Sequence, residues 1–404
     1  MALMNMLNGI KKKSKINVAF VVNFASQKWL GGYNIIINLI ETILIDKKSL
    51  INPILIIDSK SKVKIPKSLK KIKIIQTNFF SNISLFERII EKLKILIFGK
   101  SLKYERFFLK HKIHILSHTI LPLGKKSEVR SFPWIPDFQF LYYPKNFTKK
   151  NRLMKLINTL FCSFCSTNIL LSSKEVKKDI KKISTYAFKK SKVNSFVFNM
   201  PKRNTIQNNG YLKKKFKIPN KFFYLPNQYW IHKNHKLVLY ALSEAIKKNS
   251  SIFIVSTGYA DDHRKSGYFN EISRVITKFK LENNYKYLGT VSYKDVMNLM
   301  YNSVAVINPS KFEGWSSSVE QAKSMGKEII LSNIKVHKEQ NPERRIFFNP
   351  DNQNQISNSI LISWDSYNKK KELVYINRAY QSLNQKLIKY ARNYQEIILN
   401  KNSN

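Results

Sequence analysis

Residues 308–327 hold the residue types and spacing that point most directly to chemistry. The segment reads as the end of a strand, a loop carrying Glu313, and a helix in which Ser317 and Glu320 have capping-box spacing. A helix start presents backbone N–H groups and the positive end of the helix dipole, which suit a diphosphate. A loop carboxylate accepts hydrogen bonds from sugar hydroxyls. These features indicate a site for a phosphorylated sugar compound, with a solvated loop carboxylate as the alternative for Glu313.

A second segment, residues 225–235, follows another apolar run and carries Lys233 between two histidines. A lysine ammonium is a compact cation that offsets charge gathering on a leaving phosphate. His232 and His235 raise the alternative of a metal site. Without a carboxylate cluster beside them, we interpret them as polar residues at a helix start.

Elements that would position these residues alternate along both halves of the chain. Strands are predicted at 16–22, 53–58, 72–76, 113–117 and 169–173, and again at 222–225, 252–256, 285–288, 304–307 and 328–331. Helices are predicted at 33–45, 85–96 and 174–183, and again at 236–248, 268–279, 293–301, 318–325 and 371–399. This alternation is typical of an α/β chain with doubly wound parallel sheets, whose ligands lie beyond the carboxyl ends of the strands. We predict one Rossmann-like domain over 1–200, a linker over 201–220, a second such domain over 221–370, and a C-terminal helix and tail over 371–404.

The net charge of the 404-residue chain is strongly positive, with 71 Lys and Arg against 25 Asp and Glu, a formal +46. Such a charge attracts phosphates, nucleic acid and anionic lipid. An equally good interpretation is compositional drift, because Lys, Asn and Ile are all abundant. No RNA-binding aromatic signature accompanies the basic runs, so we expect no nucleic-acid partner. Peripheral contact with an anionic membrane is the expectation that remains.

The sequence shows no recognisable secretory signal or membrane-spanning run, and it has only two cysteines. These features favour a cytoplasmic protein, which we expect to lie at the inner face of the membrane. No apolar run reaches the ~18 residues that span a bilayer, and the first ten residues lack the order of a secretory signal. Cys162 and Cys165 have C-x-x-C spacing. A redox motif or half a zinc site is the alternative, but burial in an apolar segment is the prediction.

The two chemical segments resemble the retaining nucleotide-sugar glycosyltransferases of large family 4, which have the GT-B fold. Their mark is a Glu, seven intervening residues and a second Glu. Glu313 matches the first position, which meets the donor sugar, and Gln321 stands at the second, which meets the ribose. Lys233 matches the diphosphate-binding lysine, and Asn227 stands where many members place Arg.

Two stretches of the first half resemble the family more loosely. Gly31 and Gly32 match its first glycine-rich loop, where backbone approaches donor or acceptor. Asp137 lies in a stretch found in bacterial polysaccharide-assembly members, in which a His usually follows; this chain has Phe140. For His118 we favour a strand-end histidine bonded to backbone, with compensation for the missing histidine from the acceptor side as the alternative.

The resemblance implies two Rossmann-like domains facing a cleft, with a long C-terminal helix, and transfer of a sugar with retained anomeric configuration. It requires no metal or other cofactor, because Lys233 and the helix dipole take that role. The partners are a nucleotide-sugar donor and a glycan or lipid-linked acceptor, of surface-polysaccharide or lipopolysaccharide type. The implied residues are catalytic Glu313 and Lys233; donor-binding Gly31, Gly32, Asn227, Gly289, Ser316, Ser317 and Gln321; and acceptor-side Asp137 and His118.

Three alternatives stay open at this point. The departures at Asn227, Phe140 and Gln321 suit a degenerate member that acts as a partner or scaffold in polysaccharide assembly. A nucleotide-sugar epimerase of the same fold needs carboxylates near the anomeric carbon, and the sequence locates none. A basic nucleic-acid binder rests on the charge alone.

Overall fold

The first half of the chain forms parallel β-structure with helices packed around it. The computed structural model describes residues 15–22, 30–61, 65–260, 262 and 267–400. Its first elements are β1 (Ile16–Val22), α1 (Leu30–Ile45), β2 (Ile51–Asp58), β3 (Lys73–Thr77), α2 (Leu85–Phe98), α3 (Leu102–Lys110), β4 (Ile115–Ser117), β5 (Arg130–Phe132), β6 (Trp134–Ile135), α4 (Gln139–Tyr142), α5 (Lys149–Cys165), β7 (Ile169–Leu171), α6 (Lys174–Ile183), α7 (Thr185–Lys190) and β8 (Ser191–Val193). Five strands form one sheet in the order β3-β2-β1-β4-β5. Its centre, β1, is buried on both faces, which explains its nearly continuous apolar sequence.

A second, three-stranded sheet in the order β6-β7-β8 adjoins the first. The strand predicted at 169–173 belongs to this smaller sheet. Pro133 separates β5 from β6, and its carbonyl oxygen accepts a hydrogen bond from the Leu170 N–H at 2.7 Å. Because proline has no N–H to donate, it interrupts the strand and the sheet bends there.

The second half repeats the plan around one six-stranded parallel sheet. Its elements are α8 (Asn209–Phe216), β9 (Phe223–Pro226), α9 (His235–Lys248), β10 (Ile254–Thr257), α10 (Tyr268–Lys278), β11 (Tyr285–Tyr287), α11 (Tyr293–Asn302), β12 (Val306–Asn308), α12 (Ser317–Met325), β13 (Ile329–Ser332), α13 (Lys335–Gln340), β14 (Arg345–Phe348), α14 (Gln353–Ser366) and α15 (Lys369–Leu399). The strand order is β11-β10-β9-β12-β13-β14. The order reverses between β9 and β12, and in such a sheet ligands bind beyond the carboxyl ends of the two strands at that reversal.

The last helix, α15, returns to the first half of the chain. The Arg392 side chain forms an ion pair with Asp46, the residue after α1, with 3.1 Å between Nε and Oδ2. The Gln395 side chain accepts a hydrogen bond from the Leu50 N–H at 2.6 Å. Leu387, Tyr390 and Tyr394 are buried in the core that contains α1. Burying side chains of this size contributes ~1.5–3 kcal/mol each. Helix α15 therefore holds together the first and second halves of the chain, which we call the first and second lobe.

The segment 201–220, predicted as a linker, contains helix α8, and its Leu212 and Ile218 are buried in the core. One local prediction needs correction: helix α1, predicted at 33–45, begins at Leu30 and therefore includes Gly31 and Gly32, which were matched to a glycine-rich loop. The domain boundaries themselves stay predictions.

Candidate functional site

A cavity of about 510 Å³ lies between the two lobes. The second lobe contributes the loops after β9, β10 and β12 and the start of α12, and the first lobe contributes the start of α1 and the turn after β6. Of the residues predicted from the sequence, this cavity is lined by Gly31, Gly32, Asp137, Asn227, Lys233, Glu313, Ser317 and Gln321. The structure therefore brings most of the predicted site together.

Lys233 and Glu313 form an ion pair in the wall of this cavity. The Lys233 Nζ lies 2.6 Å from the Glu313 Oε1, and the two side chains are 14% and 9% exposed. Lys233 ends a short 3₁₀ turn after β9, and Glu313 lies in the loop after β12. Because β9 and β12 are neighbours at the reversal of strand order, their following loops meet.

Glu313 is held as a carboxylate. Burial alone would raise its pKa, but the Lys233 ammonium and hydrogen bonds from Lys233 and Ser310 lower the pKa below its ordinary value. The Ser310 hydroxyl donates to Oε1 at 2.7 Å. A nearly buried anion beside a nearly buried cation gives the cavity two fixed, opposite charges.

A chain of hydroxyls behind Glu313 was not predicted from the sequence. The Ser332 hydroxyl donates to the Ser310 carbonyl at 2.6 Å and lies 2.9 Å from the His337 Nδ1. His337 is fully buried, and burial lowers its pKa to about 4. The neutral ring supports the loop through Ser332. These residues lie on later elements, and nothing in their local sequence signals the contact.

The start of α12 differs in detail from the predicted capping box. Ser316, not Ser317, is the N-cap residue, and its side chain caps no helix N–H. The Ser316 hydroxyl instead accepts a hydrogen bond from Asn308 at 2.9 Å. Glu320 accepts from the Gln340 side chain at 3.3 Å and is no cap. Ser316 is buried behind the cavity wall, whereas Ser317 and Ser318 of the first helical turn line it.

Two amide side chains, those of Asn227 and Gln321, line the cavity near the start of α12. The Asn227 Oδ1 accepts from the Ser318 hydroxyl at 3.3 Å, while its buried Nδ2 has no hydrogen-bond partner. A buried donor without a partner costs ~1–3 kcal/mol, so a ligand acceptor at this point would relieve that cost. Gln321 is hydrogen-bonded to Tyr293, which also lines the cavity.

Two predicted site residues lie elsewhere. His118 is buried in the core, with its ring centroid 5.7 Å from those of Trp134 and Tyr394, and burial lowers its pKa to about 3. It is a core residue rather than an acceptor-side residue. Gly289 does not line the cavity; its carbonyl accepts the Gly258 N–H at 3.0 Å, and Gly258 and Thr290 line the wall instead.

Aromatic rings that the prediction did not assign cover much of the remaining wall. Trp230, Trp315 and Phe196 line the cavity, and the Trp315 indole N–H donates to the Phe196 carbonyl at 3.1 Å across the two lobes. Trp230 and Trp315 lie in the segments 225–235 and 308–327, close in sequence to Lys233 and Glu313. This closeness is the feature from which the sequence could have predicted that they line the cavity. Aromatic faces suit a base or a sugar ring.

A second cavity, of about 750 Å³, continues from the first on the side of the first lobe. Trp134, Pro136, Asp137 and Trp230 line both cavities. Phe140, at the position where a histidine was expected, is buried and lines only the second. Asn146, Asn151 and Lys155 supply polar groups to its far wall.

His235 and the two cysteines serve packing, whereas His232 lines the second cavity. The His235 Nε2 lies 3.2 Å from the Asn227 carbonyl, and its ring stacks on Tyr229. Cys162 and Cys165 are buried free thiols, as predicted, and burial raises the pKa of Cys162 to about 12. No group of three or more His, Cys, Asp or Glu residues with metal-binding geometry occurs among the described residues. Within the same residues, no helix has the length and apolarity to cross a membrane.

Comparisons with known proteins agree with this geometry. Residues 212–393, which contain the ion pair and α12, match the family described as glycosyl transferases group 1. The chain is 23% identical over 243 residues to the O-antigen chain mannosyltransferase RfbU of Salmonella typhimurium. That alignment covers 60% of this chain and 62% of RfbU, so the chain matches less than two thirds of its relative.

Solved structures extend the likeness over both lobes. Anabaena HepE, solved in complex with UDP and glucose, superposes with a TM-score of 0.66 at 12% identity, covering 95% of this chain and 99% of HepE. A glycosyltransferase from Rickettsia africae gives a TM-score of 0.62 at 18% identity, covering 96% and 100%. The chain has the GT-B fold. Its second lobe carries the glycosyl-transferase family match, and the ion pair lies in the wall of the cavity between the lobes.

Proposed function

We propose that this chain is a glycosyltransferase that moves a sugar from a nucleotide-sugar donor to a glycan or lipid-linked acceptor in surface-polysaccharide assembly. The observation that carries the proposal is the buried Lys233–Glu313 pair, which lies at the reversal of strand order and faces the opposite lobe across the cavity. The family match of residues 212–393 and the likeness to RfbU, named as an O-antigen chain mannosyltransferase, support the reaction class and the acceptor class.

The two charges suit two adjoining parts of a nucleotide sugar, the diphosphate and the sugar. The donor diphosphate would lie between Lys233 and the first turn of α12, where an ammonium and backbone N–H groups meet negative charge. The sugar hydroxyls would donate to Glu313, which the pair keeps ionised. The Asn227 Nδ2 would supply the donor that an arginine supplies in many relatives.

Departure of the nucleoside diphosphate develops negative charge on its terminal phosphate, and Lys233 stands where that charge would form. As the bond from the anomeric carbon to the phosphate oxygen breaks, an acceptor hydroxyl forms its bond to that carbon from the same face and passes its proton to the departing phosphate, so the anomeric configuration is retained. These protein groups supply the charge stabilisation, so the proposal includes no metal. Closure of the lobes would exclude water and protect the donor from hydrolysis.

A panel of UDP-, GDP- and ADP-sugars, each incubated with a membrane lipid extract as the source of acceptor, tests the reaction through release of free nucleoside diphosphate. Wild-type protein is expected to release the diphosphate from one donor, and Glu313→Ala and Lys233→Ala are expected to abolish release without unfolding. Lys247→Ala is the matched control, because this lysine lies on the neighbouring helix α9 with 68% of its side chain exposed. Wild-type turnover by either site variant would reject the proposal.

If the chain is instead a catalytically degenerate member that acts as a scaffold, the same assay gives a different result. A scaffold would bind a nucleoside diphosphate at this cavity but release none from any donor. The substitutions at Asn227, Phe140 and Gln321 favour this second candidate. Chelation by EDTA and the anomeric proton signals of the product test metal independence and retention once a donor is known.

A further inference from the structure

Helix α2 carries an apolar face that no part of the described chain covers. Its six side chains Leu85, Phe86, Ile89, Leu93, Leu96 and Ile97 are each between 50% and 75% exposed. At about 100° per residue, they project within an arc of roughly 120°. Glu91 and Ile95, which are buried, project to the opposite side of the helix. The exposed face is therefore a second apolar face, distinct from the one that packs on the core.

The helix is well formed at both ends, so its exposure does not come from fraying. The Ser84 hydroxyl accepts the Glu87 N–H at 3.2 Å, and the Glu87 carboxylate accepts the Ser84 N–H at 2.9 Å. Gly99 ends the helix in the left-handed conformation, with φ of 79°. Both helix acids are paired, Glu87 with Lys103 and Glu91 with Lys94.

Helix α5 extends this surface with exposed apolar side chains and a basic first turn. Leu153, Met154, Ile157 and Phe164 are 43–57% exposed. The exposed cations Lys149 and Lys150 lie in the first turn of the same helix, which contains no acidic residue. We call these ten apolar and two basic side chains the α2–α5 surface.

The two helices meet through Lys92. Its Nζ donates to the Asn158 Oδ1 at 3.2 Å and lies 5.6 Å from the centroid of the Phe161 ring. Lys92 stands one helical turn from Leu96, and Asn158 stands one turn from Met154, so both apolar stripes border this junction.

We propose that the α2–α5 surface binds the headgroup region of an anionic lipid bilayer. Apolar side chains beside exposed lysines are the composition of helices that lie in the membrane interface, where apolar burial and attraction to anionic lipid add. A second copy of the chain is the less favoured occupant, because a twofold contact would place the same basic turn on both sides.

The position of the α2–α5 surface determines which entrance of the cleft lies next to the bilayer. Ile120, Lys155 and Asn158 line the second cavity, which continues into the central one past Trp134 and Asp137. A lipid-linked acceptor in the bilayer would therefore lie beside an entrance to the cleft. This step rests on the proposed function, whereas lipid binding itself does not.

Co-sedimentation with vesicles tests the inference without donor or acceptor. Wild-type protein is expected to bind vesicles of phosphatidylglycerol mixed with phosphatidylcholine, and to bind phosphatidylcholine alone at least about tenfold more weakly. Added salt should weaken the binding, because exposed charges are screened. Equal binding to both vesicle types would contradict the proposal.

Two pairs of matched variants locate the contact. Phe86→Ser with Ile97→Ser is expected to lower vesicle binding about tenfold or more, whereas Ile362→Ser with Val374→Ser, at exposed apolar positions on α14 and α15, should not. Replacing Lys149 and Lys150 by Gln should weaken binding, and replacing Lys369 and Lys370 by Gln should weaken it less. Equal losses within either pair would overturn the assignment to this surface.

Sedimentation velocity without vesicles distinguishes the other occupant. The proposal expects wild-type protein and the Phe86→Ser, Ile97→Ser variant to sediment alike. A wild-type dimer that this variant dissociates would assign the surface to a second copy and overturn the proposal. Because nucleoside-diphosphate release from a soluble donor is measured separately, failure of lipid binding and failure of the transferase proposal are distinguishable.

Discussion

Gly314 lies directly against Pro136 across the two lobes: a β carbon at position 314 would come within 2.0 Å of the Pro136 carbonyl oxygen. The neighbouring Asp137 Cβ would be 2.9 Å away. Backbone from the loop that carries Glu313 therefore touches the turn that carries Asp137. Only a residue without a side chain allows the lobes to approach this closely.

Gly314→Ala is expected to hold the lobes apart and reduce nucleoside-diphosphate release at least tenfold. The protein should still bind the nucleotide, because the second-lobe wall is kept, and stability should fall by about 1–3 kcal/mol. Steady-state kinetics and calorimetric nucleotide binding measure the two effects. Gly210→Ala, on helix α8 and close only to the Asn208 side chain, is the control. Unchanged turnover in Gly314→Ala would show that this approach is not needed.

Ser310→Ala is expected to shift the acid limb of the pH–rate profile to higher pH. The Ser310 hydrogen bond helps lower the pKa of Glu313, so its removal moves that pKa upward and the carboxylate is protonated sooner as the pH falls. By the same linkage, the stability that the pair contributes is present above the ordinary glutamate pKa and is lost as pH falls through the lowered one. The pH dependence of release measures the shift.

Ser303→Ala is the control for that profile. Its buried hydroxyl bonds only the Met300 carbonyl, away from the cavity, so its acid limb should match the wild type. An unchanged acid limb in Ser310→Ala would mean that protonation of Glu313 does not limit activity.

Asn227→Asp is expected to weaken nucleoside-diphosphate binding at least tenfold. The substitution replaces the unpartnered Nδ2 donor by an anionic oxygen at the cavity wall, where phosphate is proposed to bind. Titration calorimetry measures the affinity. Asn249→Asp makes the same change of charge at a helix end and keeps the acceptor that Ser251 uses, so its affinity should not change. Equal affinities for the two variants would remove Asn227 from the site.

Glu372→Gln is expected to destabilise the protein by about 3 kcal/mol, because it leaves a buried ammonium without its counter-charge. Lys327 is fully buried, its Nζ lies 2.6 Å from the Glu372 Oε1, and it also donates to the Ser303 carbonyl at 2.7 Å. This pair joins the end of α12 to α15. Urea unfolding measures the change, and Glu343→Gln, which removes an exposed pair with Arg378, should cost less than about 1 kcal/mol. Similar costs would contradict the burial argument.

Local sequence predicted the elements well where periodicity and caps act within one segment. The strand at 16–22 and the helix at 174–183 have the predicted bounds. The loops that carry Lys233 and Glu313 meet because their strands are neighbours in the sheet, a strand order that the alternation of elements alone does not give.

Errors arose where a partner distant in sequence decides the outcome. His118 looked like a cleft residue at a strand end, but Tyr394 of the last helix packs against it. Ser317 had the spacing of a cap, but Asn308 and Gln340 bind the neighbouring Ser316 and Glu320. The segment 201–220 looked polar, yet Leu212 and Ile218 are buried in the core formed around α1 and α15. None of these partners is visible within a local window.

Titration calorimetry of UDP, GDP and ADP against wild-type protein and Lys233→Met tests the central claim most directly. Wild-type protein is expected to bind one of the three diphosphates at one site per chain, and Lys233→Met to bind it at least tenfold more weakly. Lys247→Met, on the neighbouring helix α9, should bind it as the wild type does. Equal affinity in Lys233→Met and the wild type, or no binding by the wild type, would contradict the account.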